Sequence, residues 1–229
     1  YDKYLPIVHA DNQYNVYQEI FLPSVYVLLQ MELTGMPMDM DKVHELDDLL
    51  TNKIKDIYRA FNVLPFIPTF VDKLRQRARD EANAKLKTKV KPLSDFDHIV
   101  FNPNSNPQLQ ELLYDVLGLP VFDRTASGAP AAGGDTLAKL VNHTSDPDVL
   151  LLLNSLIEFS NADKIQNTFV KAFKNAIQKD DEHHYLFGNF NIGGTVSGRL
   201  SSSEPNLQNI PSGGNPYAKY VKECFSAPK

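Results

Sequence analysis

The sequence predicts a mainly α protein with a small antiparallel β portion, an α+β fold in which helices dominate up to about residue 178. Two observations support this class. Apolar residues recur at helical spacing in several long segments before that point. After the acidic run that precedes His183 and His184, the pattern changes to short alternating stretches broken by glycine, which are typical of strands and turns.

Composition narrows the function classes. The 229 residues are 42% hydrophobic and 22% charged with a net charge of −5, as in ordinary soluble globular proteins. No apolar run approaches the roughly 18 residues of a membrane span, so we expect no membrane association. The single cysteine, Cys224, excludes an internal disulfide and fits a reducing compartment such as the cytoplasm. In an acidic chain, nucleic-acid binding requires local basic or polar patches.

The first predicted elements form a helical hairpin. Residues 19–34 carry an apolar stripe, which consists of Ile20, Val25, Leu28, Leu29 and Met31, and Gly35 ends this helix. Residues 36–39 are an extended link, and Asp39 or Asp41 can cap a second helix. The apolar positions of the second helix are Val43, Leu46, Leu49, Leu50, Ile54 and Ile57.

A basic stretch follows in the segment 59–98. Residues 60–71 contain two prolines and cannot form one regular helix. Residues 75–85 are predicted to be helical and residues 85–91 strand-like or extended. Because unpaired lysines are disfavoured in a packed core, we expect the cations to contact the phosphates of a nucleic acid or a protein partner, or to form a solvated face. They are Lys73, Arg75, Arg77, Arg79, Lys85, Lys87, Lys89 and Lys91.

The remaining helices precede the strands. Residues 101–121 read as a loop that enters a helix, with Ser105 or Asn106 as the N-cap and Pro107 in the first turn. Further helices are predicted at 135–143 and at 147–178. Residues 185–202 read as two strands about a turn at Gly193 and Gly194.

The most specific stretch is residues 195–212, TVSGRLSSSEPNLQNIPS. Its side chains suit sugar, phosphate and base-edge acceptors, although a polar surface loop would have a similar composition. The stretch closely resembles the family A DNA polymerase signature T-x-T-G-R-L-S-S-x-x-P-N-L-Q-N-I-P, with Ser197 in place of a frequent threonine.

Other segments resemble the same family in the same order. ELTGMPMD at 32–39 is similar to M-E-x-x-G-(V/I)-x-(V/I)-D at the start of the thumb. FNPNSNPQLQELLYDVLGLP at 101–120 and ADKIQNTFVKAF at 162–173 are similar to later thumb motifs. The resemblance implies a linker or N-terminal segment at 1–18, a helical thumb at 19–178 and the N-terminal part of the palm at 179–229. Residues 59–98 have no counterpart in it and are interpreted as a basic insertion.

The resemblance also implies roles for individual residues in binding a primer–template duplex. Arg199 should reach the minor groove at the primer terminus, where the acceptor pattern is degenerate. Asn206 and Gln208 should contact the same groove or the template strand, and Ser201, Ser202 and Asn209 belong to the same motif. Residues of two further segments should hold phosphates or line the duplex path, although solvated helix surface is the alternative for Gln108 and Asn167. They are Asn102, Asn104, Ser105, Gln108, Lys164, Asn167 and Thr168.

The implied function is template-directed DNA polymerisation, with Mg²⁺ in the complete enzyme. The family's metal-binding aspartate follows R-x-x-F-x-A-P, and this sequence stops at KECFSAPK. We therefore expect no catalytic residue, metal ligand or cofactor within these residues, no polymerisation by the chain alone, and the fingers and the rest of the palm as partners. The alternatives are a non-catalytic DNA-binding or processivity module and one half of a split polymerase, with a processivity partner at 59–98. A phage origin, and hence a host cytoplasm, is a further hypothesis.

Overall fold

The computed structural model describes residues 2–86, 90–179 and 183–226. Its α-helices are α1 Leu5–Ala10, α2 Tyr14–Val16, α3 Leu22–Thr34, α4 Met40–Asn62, α5 Phe66–Ala84, α6 Asn106–Gln110, α7 Gly134–Val141, α8 Pro147–Ile165, α9 Lys171–Phe173 and α10 Ala218–Glu223. Wider, π-type turns at Tyr17–Phe21, Glu111–Val116 and Gln166–Val170 join α2 to α3, extend α6 and join α8 to α9. Shorter 3₁₀ turns lie at Leu93–Phe96 and Leu207–Asn209.

The strands are short and antiparallel. They are β1 Met36–Met38, β2 Ile177–Gln178, β3 His184–Leu186, β4 Asn189–Asn191 and β5 Ser201–Ser203. One sheet has the order β1-β3-β2, and the other pairs β4 with β5 in a register that places Phe190 opposite Ser202. Helices with small antiparallel sheets confirm the predicted α+β class.

The chain forms two compact units, one of residues 1–49 with 164–229 and the other of residues 50–163. We call them the first and the second unit. In the second unit, the end of α4, then α5, α6, α7 and α8 surround one apolar core. Phe61 and Phe70 pack edge-on against Phe101, with ring centroids 5.4 and 6.1 Å apart. Burial of such side chains stabilises the unit by about 1.5–3 kcal/mol each.

Helix α4 begins and packs as the sequence predicts. The Asp39 carboxylate accepts a hydrogen bond from the Lys42 N–H at 3.0 Å, which caps the helix. Val43, Leu46 and Leu50 are at most 2% exposed. The break expected within 60–71 is also present, because α4 ends at Asn62 and α5 begins at Phe66. Pro68 lies in the first turn of α5, where its missing N–H leaves no hydrogen bond unmade.

Two sequence-based expectations were wrong in detail, and one predicted apolar stripe lacks a cover among the described residues. The helix predicted to end at 178 ends at Phe173, and Ile177–Gln178 form β2, whose backbone pairs with β3. The predicted turn at Gly193 and Gly194 is a longer loop between β4 and β5. The apolar stripe of α3 is mostly exposed, because only Leu28 of its members is buried. Periodicity predicts an apolar face but does not identify what covers it.

Among the described residues, no helix combines the length and apolar content that crossing a bilayer requires.

Candidate nucleic-acid interface

One open cavity of about 690 Å³ lies in the first unit and collects much of the predicted site. We call it the polar bowl. Six residues predicted from the signature stretch line it, and Thr195 and Leu200 complete the lining. The six are Arg199, Ser201, Ser202, Asn206, Gln208 and Asn209. The structure therefore brings these six side chains to one place, which the sequence alone could only suggest.

Local hydrogen bonds fix the backbone of the 3₁₀ turn that lines the polar bowl. The Asn206 side-chain oxygen accepts from the N–H groups of Gln208 and Asn209, both at 3.2 Å, and so caps the 3₁₀ turn. The Ser202 hydroxyl, 7% exposed, accepts from the Gln208 N–H at 3.2 Å. Leu207 is buried beneath the turn. These hydrogen bonds use the backbone N–H groups of Gln208 and Asn209, and the side chains of both residues have no hydrogen-bond partner among the described residues.

A tight turn presents Arg199. Gly198 has φ +73°, a left-handed conformation that other residues adopt at a cost. The Gly198 N–H donates to the Thr195 carbonyl at 3.2 Å, and the Thr195 hydroxyl donates to the Arg199 carbonyl at 2.7 Å. Within the described chain, the exposed Arg199 guanidinium makes no hydrogen bond or ion pair. It is the one cation among the described residues of the lining. Its planar set of donors is available to an acceptor.

A second cluster lies in the second unit, in the loop before α6. The Gln108 side-chain oxygen accepts from the Asn102 N–H at 2.8 Å, and the Asn102 side-chain oxygen accepts from the Asn104 N–H at 2.9 Å. Ser105 is the N-cap, but its hydroxyl caps nothing. With both oxygens engaged, the amide NH₂ groups of Asn102 and Gln108 have no partner in the described residues. They are donors of the kind that phosphate oxygens accept.

The third predicted set lies at the end of α8. Lys164, Asn167 and Thr168 are exposed, whereas their neighbours Ile165 and Phe169 are at most 3% exposed. Lys171, which the prediction did not include, is also exposed and begins α9 directly after the π-type turn Gln166–Val170. Because that turn is wider than an α-helical turn, the sequence spacing from Lys164 does not by itself place the two lysines on one face.

The basic stretch separates into two groups. The first four cations lie on α5, which buries Ile67, Phe70 and Leu74 in the core and therefore belongs to the second unit's helical framework. These four cations are paired within the protein, through Lys73–Glu111, Arg75–Asp72, Arg77–Glu111 and Arg79–Asp80. Lys85 and Lys91 are exposed. Lys87 and Lys89 lie outside the described residues. The contact of this stretch with DNA or a partner stays a prediction.

Glu111 is the centre of one of these pairings. Its side chain is 14% exposed and lies 3.2 Å from the Lys73 ammonium and 2.9 Å from the Arg77 guanidinium. Burial raises the pKa of this carboxyl, but the hydrogen bonds from Arg77 and Lys73 outweigh burial and hold the pKa below its usual value. Two cations that the sequence analysis expected to contact a ligand, Lys73 and Arg77, are thus paired with a carboxylate of the protein itself.

The resemblance implies Mg²⁺ for the complete enzyme, and binding of this ion requires a group of side chains that can act as its ligands. Among the described residues, no group of three or more His, Cys, Asp or Glu side chains is placed to hold a metal ion. The described residues therefore do not fit that ion.

Comparison with known proteins gives a consistent family. The family model "DNA polymerase family A" matches residues 70–229, and so includes most of the segment 59–98. The chain is 31% identical to the DNA polymerase of Bacillus phage SP01 over 230 residues, which cover 92% of this chain and 23% of that protein. It is 27% identical to DNA polymerase I of Bacillus subtilis (strain 168), over 92% of this chain and 19% of that protein.

A solved structure supports the fold. The POL domain of Pol1 from M. smegmatis, in complex with DNA primer-template and dNTP, superposes with a TM-score of 0.71 and 23% identity, over 95% of this chain and 31% of that one. The chain thus spans about a quarter of the curated relatives' length or less, since 23% and 19% are covered. Because the family model matches more than half of the chain, the protein belongs to DNA polymerase family A.

Proposed function

We propose that this chain is part of a template-directed DNA polymerase and that its local role is to bind the primer–template duplex. One observation carries the proposal: six residues of the signature stretch line one open polar cavity, and one of them, Arg199, has a guanidinium without a partner among the described residues. The M. smegmatis relative was solved with primer-template and dNTP, which agrees with this role. A polar surface loop without a ligand gives no reason for six such side chains to converge.

The donors of the polar bowl suit the minor groove. Every base pair presents an acceptor there, adenine N3 or guanine N3 on the purine and O2 on the pyrimidine, so a donor can read a correct pair without reading its sequence. Arg199 supplies a forked set of such donors, and Gln208 and Asn209 supply amide groups beside it. A polymerase must accept all correct pairs, and a degenerate contact meets that requirement.

The exposed apolar face of α3 supports a second part of the proposal, that the chain packs against the remainder of a polymerase. Val25, Leu29 and Leu33 are spaced four residues apart and so share one side of the helix, where they are 50–63% exposed; Tyr26 and Val27 are exposed on its other sides. Exposed apolar patches of this kind usually mark an interaction site. The relatives are several times longer than this chain and contain additional chain that could cover the patch.

Nucleotide transfer itself is assigned to groups outside these residues. Two-metal phosphoryl transfer requires carboxylates that hold two ions about 4 Å apart, and the 229 residues lack the D-Y-S-x-(I/L)-E motif that carries one of them in the family. We infer that the chain alone extends no primer and that Mg²⁺ belongs to the complete polymerase.

The test compares Arg199→Ala with Arg59→Ala in a polymerase that contains this chain. Arg59 is an exposed arginine on α4 that pairs with Asp56, and it serves as a matched control. One lost base-edge contact of roughly 1–3 kcal/mol should lower the primer-extension rate about five- to 150-fold in the Arg199 variant. Affinity for the duplex should fall less, because many phosphate contacts remain.

Two outcomes contradict the proposal. If the Arg199 variant extends primers at the unchanged rate, the guanidinium in the polar bowl does not contribute to primer extension. Collapse of binding with unchanged extension at saturating enzyme would favour a DNA-binding or processivity module.

A further inference from the structure

Arg75 connects helix α5 to the loop that carries the second cluster. Its Nε donates to the Ile99 carbonyl at 3.1 Å, and one terminal nitrogen donates to the Asp97 carbonyl at 2.9 Å. The side chain is 25% exposed, and its other terminal nitrogen lies 3.7 Å from the Asp72 carboxylate. The guanidinium is therefore directed at the protein backbone, and its donors are largely used there.

The loop that Arg75 holds leads directly into the phosphate-type donors. Phe101, 4% exposed, anchors the chain two residues after Ile99, and Asn102 follows immediately. The Asn102 N–H then fixes the Gln108 side chain at 2.8 Å. Loop carbonyls held by Arg75 and a ring held by the core thus define where the Asn102 and Gln108 amides point. The ordering of such groups before binding reduces the entropy that a ligand must remove.

We infer that Arg75 is a positioning residue for duplex binding, which acts by holding the loop 97–102 so that Asn102 and Gln108 are ordered donors to phosphate. The inference rests on the proposed duplex binding. It differs from the sequence-based expectation, in which Arg75 is one of the cations that contact phosphate directly.

Substitution by lysine separates the two roles. Lysine keeps the positive charge and binds phosphate well as a point charge. It cannot reproduce the two-pronged contact with the Ile99 and Asp97 carbonyls. If Arg75 contacted phosphate, Arg75→Lys would keep most of the affinity. If Arg75 positions the loop, both Arg75→Lys and Arg75→Ala should weaken binding roughly three- to tenfold, the effect of one ordinary hydrogen bond.

The matched control is Arg59→Ala. Arg59 is an exposed arginine of α4 that pairs with Asp56 and is not one of the cations assigned to the basic stretch. Its removal changes the net charge of the chain equally. We expect its affinity for a blunt-ended primer–template to stay within twofold of the parent protein.

The experiment is a salt titration of duplex affinity, combined with a double-mutant cycle. The proteins are the 229-residue chain, its Arg75 variants, the control Arg59→Ala, Gln108→Ala and the double variant Arg75→Ala/Gln108→Ala. A positioning role predicts an unchanged slope of log K against log salt and a double variant no weaker than Arg75→Ala alone. Because Gln108 is neutral, its loss should not alter the slope either. Circular dichroism checks the fold, and Arg75→Lys serves if Arg75→Ala unfolds.

Three results overturn parts of the account separately. A slope that falls by about 0.9 in Arg75→Ala makes Arg75 a direct phosphate contact. The positioning role is contradicted if the losses of affinity in the double variant are additive. It is also contradicted if neither Arg75 variant loses affinity while Gln108→Ala does. Both results leave the proposed function intact. Absence of duplex binding by the parent chain itself contradicts the proposed function.

Discussion

Individual residues in the polar bowl have two kinds of task. Asn206 and Ser202 satisfy backbone N–H groups and therefore stabilise the 3₁₀ turn. Arg199, whose guanidinium has no partner in the described residues, is available to a ligand. Gly198 determines where that guanidinium lies, since its φ of +73° shapes the turn. The signature stretch thus combines residues that build the cavity with a residue that we propose binds a ligand in it.

This division gives a prediction for Gly198→Ala. An alanine at a left-handed φ costs about 1–2 kcal/mol, and the exposed loop can relax by leaving the turn. We expect the duplex affinity to fall, with a small change in the free energy of unfolding. Gly213→Ala is the control, because Gly213 has ordinary φ and no atom within 4 Å of an added Cβ. Equal affinities of the two variants would show that the turn does not matter for binding.

At the scale of elements, α5 shows how a cationic helix becomes part of a core. Its apolar face packs in the second unit, while Lys73 and Arg77 flank Glu111 of the π-type turn after α6. The pKa of Glu111 is depressed, so the ionised carboxylate stabilises the fold. This contribution is present above the unfolded pKa, near 4.5, and is lost as the pH falls through the folded value.

Glu111→Gln should therefore lower the free energy of unfolding by about 1 kcal/mol at pH 7, a modest value because Lys73 and Arg77 are half-exposed. The difference from the parent protein should shrink as the pH is lowered below about 4.5. Glu45→Gln, which breaks a more exposed pair with Lys42, should change stability little. Chemical denaturation between pH 3 and 7 measures both. A difference for Glu111→Gln that is constant with pH would contradict the assigned ion pairs.

Sequence and structure agree where local rules decide the outcome. The Asp39 cap, the buried face of α4 and the break before α5 follow from side-chain chemistry within a few residues. The helical pattern did not show that Ile177 lies outside the helix and pairs with Tyr185, because apolar periodicity indicates that a helix is present and does not mark the residue at which it ends. Nor could the sequence show that Arg75 is directed at backbone carbonyls, because the residues around an arginine in a basic stretch do not indicate whether its side chain points to solvent or to the protein.

The molecule as a whole is acidic, with a net charge of −5, so its proposed contact with DNA depends on local geometry. The polar bowl supplies an unpaired guanidinium in the first unit, and the Asn102 and Gln108 amides lie in the second unit. Cations that would otherwise add to a diffuse positive field are paired within α5 and its neighbours. The proposed binding of DNA therefore depends on a specific minor-groove contact rather than on overall charge.

The most direct test of that contact removes the acceptor from the DNA. Primer extension is measured in a polymerase that contains this chain, with a primer whose terminal purine has N3 replaced by carbon, for the parent protein and for Arg199→Ala. We predict that the modified primer slows the parent protein by roughly five- to 150-fold and that it has little further effect on the Arg199 variant, because both changes remove one interaction. Equal slowing of the two proteins would show that Arg199 does not contact the minor-groove acceptor and would contradict the account.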